Sequence, residues 1–156
     1  MGRESDLARS EPIIRALIEG GGTFTLRPQG NSMRPTIVPG RDAVSIVKLN
    51  GRAKKHDILF YKRPDGQFVL HRGVKVRPAD YVLCGDHQPV TEKGVRDEWI
   101  IGVVERIVLP TETLTRGSRV FLSHGRRRAM SRPFRYLYYR TALLYHRLRG
   151  DKEKGR

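Results

Sequence analysis

The sequence predicts a mainly β domain of short strands, with a short helix before it and a basic helix after it. Three observations predict this. Apolar residues alternate with period two in six short segments between residues 23 and 109. Turn-forming Gly, Pro, Asn and Asp separate those segments. A helical period appears only at the two ends of the chain.

Residues 11–19 make the first helix. Ser10 can cap it, Pro12 suits its first turn, and Ile13, Ile14, Leu17 and Ile18 form one apolar stripe. Gly20, Gly21 and Gly22 then end it. A strand over 23–27 runs into Pro28, which places it at a sheet edge or a strand end. Further strands are expected at 43–49, 58–62, 67–76, 81–84 and 100–109. Arg63-Pro64-Asp65-Gly66 is a hairpin-turn signal, and 77–80 and 85–89 are further turns. Beyond Gly125, residues 126–133 read as a basic linker. Residues 134–149 read as a loosely amphipathic helix with Phe134, Leu137, Tyr138, Leu144, Tyr145 and Leu148 near one face. The expected organisation is an N-terminal helix and linker over 1–22, a β domain over 23–120, and a basic linker and helix over 121–156.

A chain of 156 residues allows one domain with appendages, and 38% hydrophobic with 30% charged residues is a globular composition. The best apolar run, 99–104, is six residues and includes Gly102, so no membrane-spanning helix is expected. The opening Met-Gly-Arg-Glu-Ser-Asp has no basic-then-apolar signal pattern. Cys84 is the single cysteine, which excludes an internal disulfide and reads as a small buried hydrophobe. His56, His87, His124 and His146 share no metal-ligand spacing, so neither metal nor cofactor is expected. These features together imply a cytoplasmic or cytoplasm-facing protein.

The net charge of +15 is unevenly placed. Residues 126–156 hold eleven Lys and Arg against two acids, a net +9. Such a tail, densest between Arg126 and Arg149, implies an anionic partner (a membrane surface, which would make the protein peripheral to the membrane, a nucleic acid, or an acidic protein). A solubilising extension is the alternative.

The segment Gly30-Asn31-Ser32-Met33-Arg34-Pro35 suggests chemistry. Gly30 and Asn31 tolerate positive φ and Pro35 stiffens the chain beyond the serine, so a tight turn would present Ser32 in a fixed direction. Spacing alone leaves an ordinary Asn-Ser turn open.

The longer stretch Gly-Asn-Ser-Met-Arg-Pro-Thr-Ile-Val-Pro-Gly-Arg-Asp resembles the nucleophile segment of the superfamily joining signal peptidase I to LexA-type self-cleaving repressors. Three further blocks follow in the family's order: Lys55-His56-Asp57-Ile58-Leu59-Phe60-Tyr61, Phe68-Val69-Leu70-His71-Arg72-Gly73-Val74, and Cys84-Gly85-Asp86-His87-Gln88 with Ile101-Gly102-Val103-Val104. Together they cover about half of the chain. Two departures stand out: Gly40-Arg41-Asp42 carries one residue more than the family's Gly-Asp, and Gly30 stands where signal peptidase I commonly has a hydroxyl. The family's membrane anchor has no counterpart in the composition.

The resemblance implies a LexA/signal-peptidase-like β fold and a serine endopeptidase of the histidine-base branch, similar to the SipW-like and endoplasmic-reticulum enzymes. Ser32 is then the nucleophile and His71 the general base. A histidine with an ordinary pKa of about 6.5 accepts a proton near neutrality without the desolvation that a lysine requires. It does require an orienting partner. The resemblance offers Asp86 and Glu92 for that role; the alternatives are a turn-capping Asp86 and a solvated Glu92 beside Lys93. The oxyanion donors would be the Ser32 N–H with a second backbone N–H or the Asn31 amide. The substrate would be an extended peptide or precursor protein laid along the 23–27 strand, touching Thr25, Leu26 and Met33, with small side chains near the cut. A second reading is a LexA- or phage-repressor-like regulator that cleaves itself or binds nucleic acid through its tail, although the 22 residues before the β domain are too few for a helix-turn-helix.

Overall fold

The computed structural model describes the backbone of residues 2–153 and the side chains of residues 6–141. Its elements run α1 (Gly2–Glu19), β1 (Phe24–Leu26), β2 (Ala43–Val47), β3 (Ile58–Lys62), β4 (Phe68–Val76), β5 (Tyr81–Cys84), β6 (Glu92–Val95), β7 (Ile100–Val108), β8 (Thr113–Thr115) and α2 (Arg119–Glu153). All pairings are antiparallel, in the order β1-β2-β7-β3-β4-β5-β6, with β8 on β7. The mainly β architecture between two helices is as the alternation indicates.

Three departures from expectation have physical causes. First, α1 begins nine residues before 11, and Pro12 lies inside it rather than in its first turn. Leu7 packs on the core alongside Ile14 and Ile18, and Glu11 pairs with Lys62 at 2.6 Å, so tertiary contacts extend the helix past its weak local signals. Its C-terminus is a Schellman turn: Gly22 N–H donates to Leu17 O, Gly21 N–H donates to Ile18 O, and Gly21 has φ 83°. Second, β6 and β8 are strands of three or four residues with little alternation of their own, ordered by pairing to β5 and β7.

Third, residues 126–133 are not a linker, because α2 runs through them and through Pro133. Ser118 Oγ accepts from Phe121 N–H at 3.3 Å, Phe121 is buried, and this seat propagates the helix beyond the start expected at 134. Of the apolar stripe expected over 134–149, Phe134, Leu137 and Tyr138 are exposed. Leu144, Tyr145 and Leu148 of that stripe lie outside the side chains described. Among the described residues, no helix is long and apolar enough to cross a membrane.

The sheet coils, with register shifts in β2/β7, β3/β7, β4/β5 and β5/β6. Coiling brings β1 over β3 although two strands separate them in the sheet: Phe24 lies 6.2 Å from Phe60, which stacks at 5.8 Å on Phe68 of β4. One core sits inside the curl around Phe60, Leu70, Met33 and Ile37. The other, around Tyr61, Tyr81, Leu83 and Val95, sits on the opposite face. β4 pairs with β5 only from Arg72 onward, so its first four residues leave an open edge facing the loop after β1.

Candidate active site

Ser32 sits in a single 3-10 turn, Asn31–Met33, entered from an extended Gly30 (φ −77°, ψ 152°). Neither Gly30 nor Asn31 has positive φ, contrary to the sequence expectation. Two anchors aim the serine instead. Met33, beside it, is sunk into the inner core, and Ile37 N–H donates to Met33 O at 3.0 Å. From the other side His87 N–H donates to Ser32 O at 2.8 Å. Gly85 completes the seat: a Cβ there would stand 2.6 Å from Ser32 O and 3.0 Å from Ser32 Cβ, so position 85 admits no side chain without moving the serine.

A cleft of about 310 Å³ opens between this turn, the end of β1 and the open edge of β4, and Leu26, Gly30, Ser32, Met33, His71 and Gln88 are on its wall. Ser32 and His71 thus face one cavity, while no hydrogen bond joins them among the described residues. Thr25, expected beside the substrate, is not on that wall; it pairs with Ser45 and is exposed, whereas Leu26 and Met33 line the cleft. Asn31 is exposed, and its amide makes no hydrogen bond among the described residues. The N–H groups of Asn31 and Ser32 lead the turn and have no intrahelical partner.

His71 follows Leu70 on β4, so its side chain leaves on the opposite face, the face of Tyr61. Its ring is 4% exposed. The Tyr61 hydroxyl lies 2.6 Å from Glu92 Oε2 and 3.1 Å from His71 Nδ1, while Nδ1 and Oε2 are 3.6 Å apart. The tyrosine therefore stands between the histidine and the carboxylate. Arg63 clamps Glu92 from outside, Nε to Oε1 at 2.9 Å and Nη2 to Oε2 at 2.6 Å. Burial alone would raise the Glu92 pKa, but the nearby His71 ring and the hydrogen bonds from Arg63 and Tyr61 outweigh it and hold the carboxyl well below the usual range. Burial and the bond to Glu92 push the Tyr61 hydroxyl well above its ordinary value.

The hydrogen-bond geometry orders the protons. Glu92 is anionic and can only accept, so Tyr61 donates its single proton to it at the shorter contact. The tyrosine oxygen is then an acceptor for Nδ1–H of His71. In the neutral form of the imidazole, which carries one proton, this arrangement leaves Nε2 bare.

Asp86, the other acid proposed as orienter, does something else. Its carboxylate takes a bidentate pair from Arg72 at 2.8 and 2.7 Å and the Thr36 hydroxyl at 2.5 Å, all buried. Arg72 follows His71 on β4 and so faces the inner core with Leu70; an acid on that face meets the arginine rather than the imidazole. Asp86 thereby ties the Ser32 loop, through Thr36, to β4. Glu92 is no solvated loop residue but opens β6.

Tyr61 and Arg63 escaped the sequence analysis, though a signal existed. The three-residue hairpin loop 64–66 fixes the register Tyr61↔Val69 and Leu59↔His71, which sets Tyr61 diagonal to His71 on one face. Among the described residues, no group of three or more His, Cys, Asp or Glu could hold a metal. Comparison with protein-family models, curated proteins and solved structures returns no match for this chain.

Proposed function

We propose that this protein is a serine endopeptidase that cuts a peptide or precursor protein by a Ser-His mechanism. The observation that carries the reading is the tethered imidazole: His71 shares a cleft with Ser32, and its Nδ1 is engaged by Tyr61, which Glu92 holds in turn. His71 Nε2 takes the Ser32 proton as Oγ attacks the scissile carbonyl carbon. The Ser32 N–H meets the developing oxyanion, with the Asn31 N–H as second donor. The imidazolium then protonates the leaving amine, and a water activated by His71 hydrolyses the acyl-serine. Glu92, through Tyr61, stabilises the imidazolium at each stage. The reading requires Ser32 Oγ to come within hydrogen-bond reach of His71 Nε2 across the cleft that both residues line.

The β1 edge, unpaired on the side away from β2, suits an extended peptide whose side chains reach Leu26 and Met33. Small residues near the cut fit a wall already occupied by Met33.

The test is a mixed peptide library digested by the full chain and read by mass spectrometry. Discrete cleavage by wild type should fall by about a thousandfold or more in Ser32→Ala at nearly unchanged melting temperature, and as far in a folded His71→Ala, whose buried ring also carries stability. Cleavage surviving in Ser32→Ala, or none from folded wild type, overturns the reading.

A further inference from the structure

We propose that the outward face of α2 docks on an anionic phospholipid surface. The start of α2 is seated on the body: Phe121 is buried, and Gly125 approaches His56 so closely that a Cβ would stand 2.9 Å from His56 Cβ. The same helical face continues through Arg128, Arg132 and Arg135, which line a small cavity with Cys84 and Asp86, and reaches Tyr139 beside Glu92. The arginines of this stripe thus point at the protein. The opposite face is apolar, with Met130, Phe134, Leu137 and Tyr138 between 63% and 77% exposed. Exposed Arg126, Arg127 and Arg140 flank it. This inverts the usual surface helix, which buries its apolar stripe and offers its charges to water.

The chemistry of the face selects its occupant. Nucleic acid phosphates would need arginines foremost, but the foremost groups are Met130, Phe134 and Leu137. A second copy is opposed by charge, because residues 119–141 hold seven arginines and no acid, so two such helices repel. An anionic leaflet accepts both features. The apolar side chains enter the headgroup–acyl boundary, Tyr138 stays at the interface, and the arginine stems let their guanidiniums remain among the phosphates. Docking this way leaves Arg128, Arg132 and Arg135 undisturbed.

The experiment is cosedimentation of the full chain with vesicles of phosphatidylcholine alone and of phosphatidylcholine with phosphatidylglycerol, at low and high salt. Anionic vesicles should bind about tenfold tighter or more, less so at high salt. Arg126→Ala and Arg127→Ala should each weaken binding about fivefold. Phe134→Asp combined with Leu137→Asp should weaken it at least about tenfold at unchanged helicity. A Phe134→Trp variant, whose emission should shift blue with anionic vesicles only, gives a readout that does not depend on the double variant folding. Three results overturn the proposal: equal or absent binding to both vesicles, duplex DNA binding in place of vesicle binding, and a dimer in light scattering that Phe134→Asp dissociates. The readout is binding, so it stands apart from the Ser32 chemistry.

Discussion

Two arginine–carboxylate clamps flank β4, one on each face, and they share a bidentate geometry while differing in what the carboxylate does next. Arg72–Asp86 is closed: both side chains are almost fully buried, the Thr36 hydroxyl donates to the same carboxylate, and Arg72 donates from its other nitrogen to the His56 carbonyl at 3.0 Å. Arg63–Glu92 is half open to solvent, and its carboxylate reaches on through Tyr61 to His71. The difference teaches that the pair itself does not define its role. Each carboxylate also accepts one hydroxyl; where that hydroxyl, Thr36, anchors a loop, the clamp fixes backbone, and where it is Tyr61 and goes on to His71, the clamp can set a proton's position.

The contrast breaks most visibly at Asp86. Asp86→Ala strands a buried guanidinium and should cost about 3–5 kcal/mol of stability, measured by urea unfolding. An intact melting curve would make the closed clamp decorative. Tyr61→Phe should act in the opposite manner. It keeps the ring and removes the bridge, so kcat should fall about ten- to a hundredfold with KM nearly unchanged and stability lowered by about 1 kcal/mol. Unaltered kcat would mean that the bridge does not orient the base.

The smallest effect is at Glu92 and depends on pH. Its folded pKa is depressed, so its stabilisation is present above the unfolded value of about 4.3 and is lost as pH falls toward the folded one. Glu92→Gln should therefore cost about 1–2 kcal/mol at pH 7, with the gap to wild type narrowing below about pH 4. Tyr61, shifted upward, keeps its proton past pH 10, so neither group should add a limb to the pH–rate profile between about pH 5 and 9.

The sequence was most legible where period two is strong. The β3 and β5 ranges agree with expectation to the residue, because dense apolar runs end at clear turns. It was least legible where order comes from elsewhere. The short β6 and β8 exist through their pairing partners, and α2 crosses Pro133 because Ser118, Phe121 and Gly125 hold its start. At the site, Ser32 and His71 could be singled out from the sequence blocks they sit in, but the choice between Asp86 and Glu92 is a matter of strand face. Neighbours on β4 point opposite ways, so Asp86 is claimed by Arg72 and Glu92 falls to His71 by way of Tyr61. A hydroxyl bridging two residues ten and thirty-one positions away is visible only after the hairpin register is worked out.

Nitrogen NMR of His71 in the full chain tests the central claim most directly, because it reports which ring nitrogen holds the proton of the neutral form. The account expects the proton on Nδ1, with Nε2 bare, and a move toward the other tautomer in Tyr61→Phe. A wild-type His71 protonated on Nε2 would contradict it.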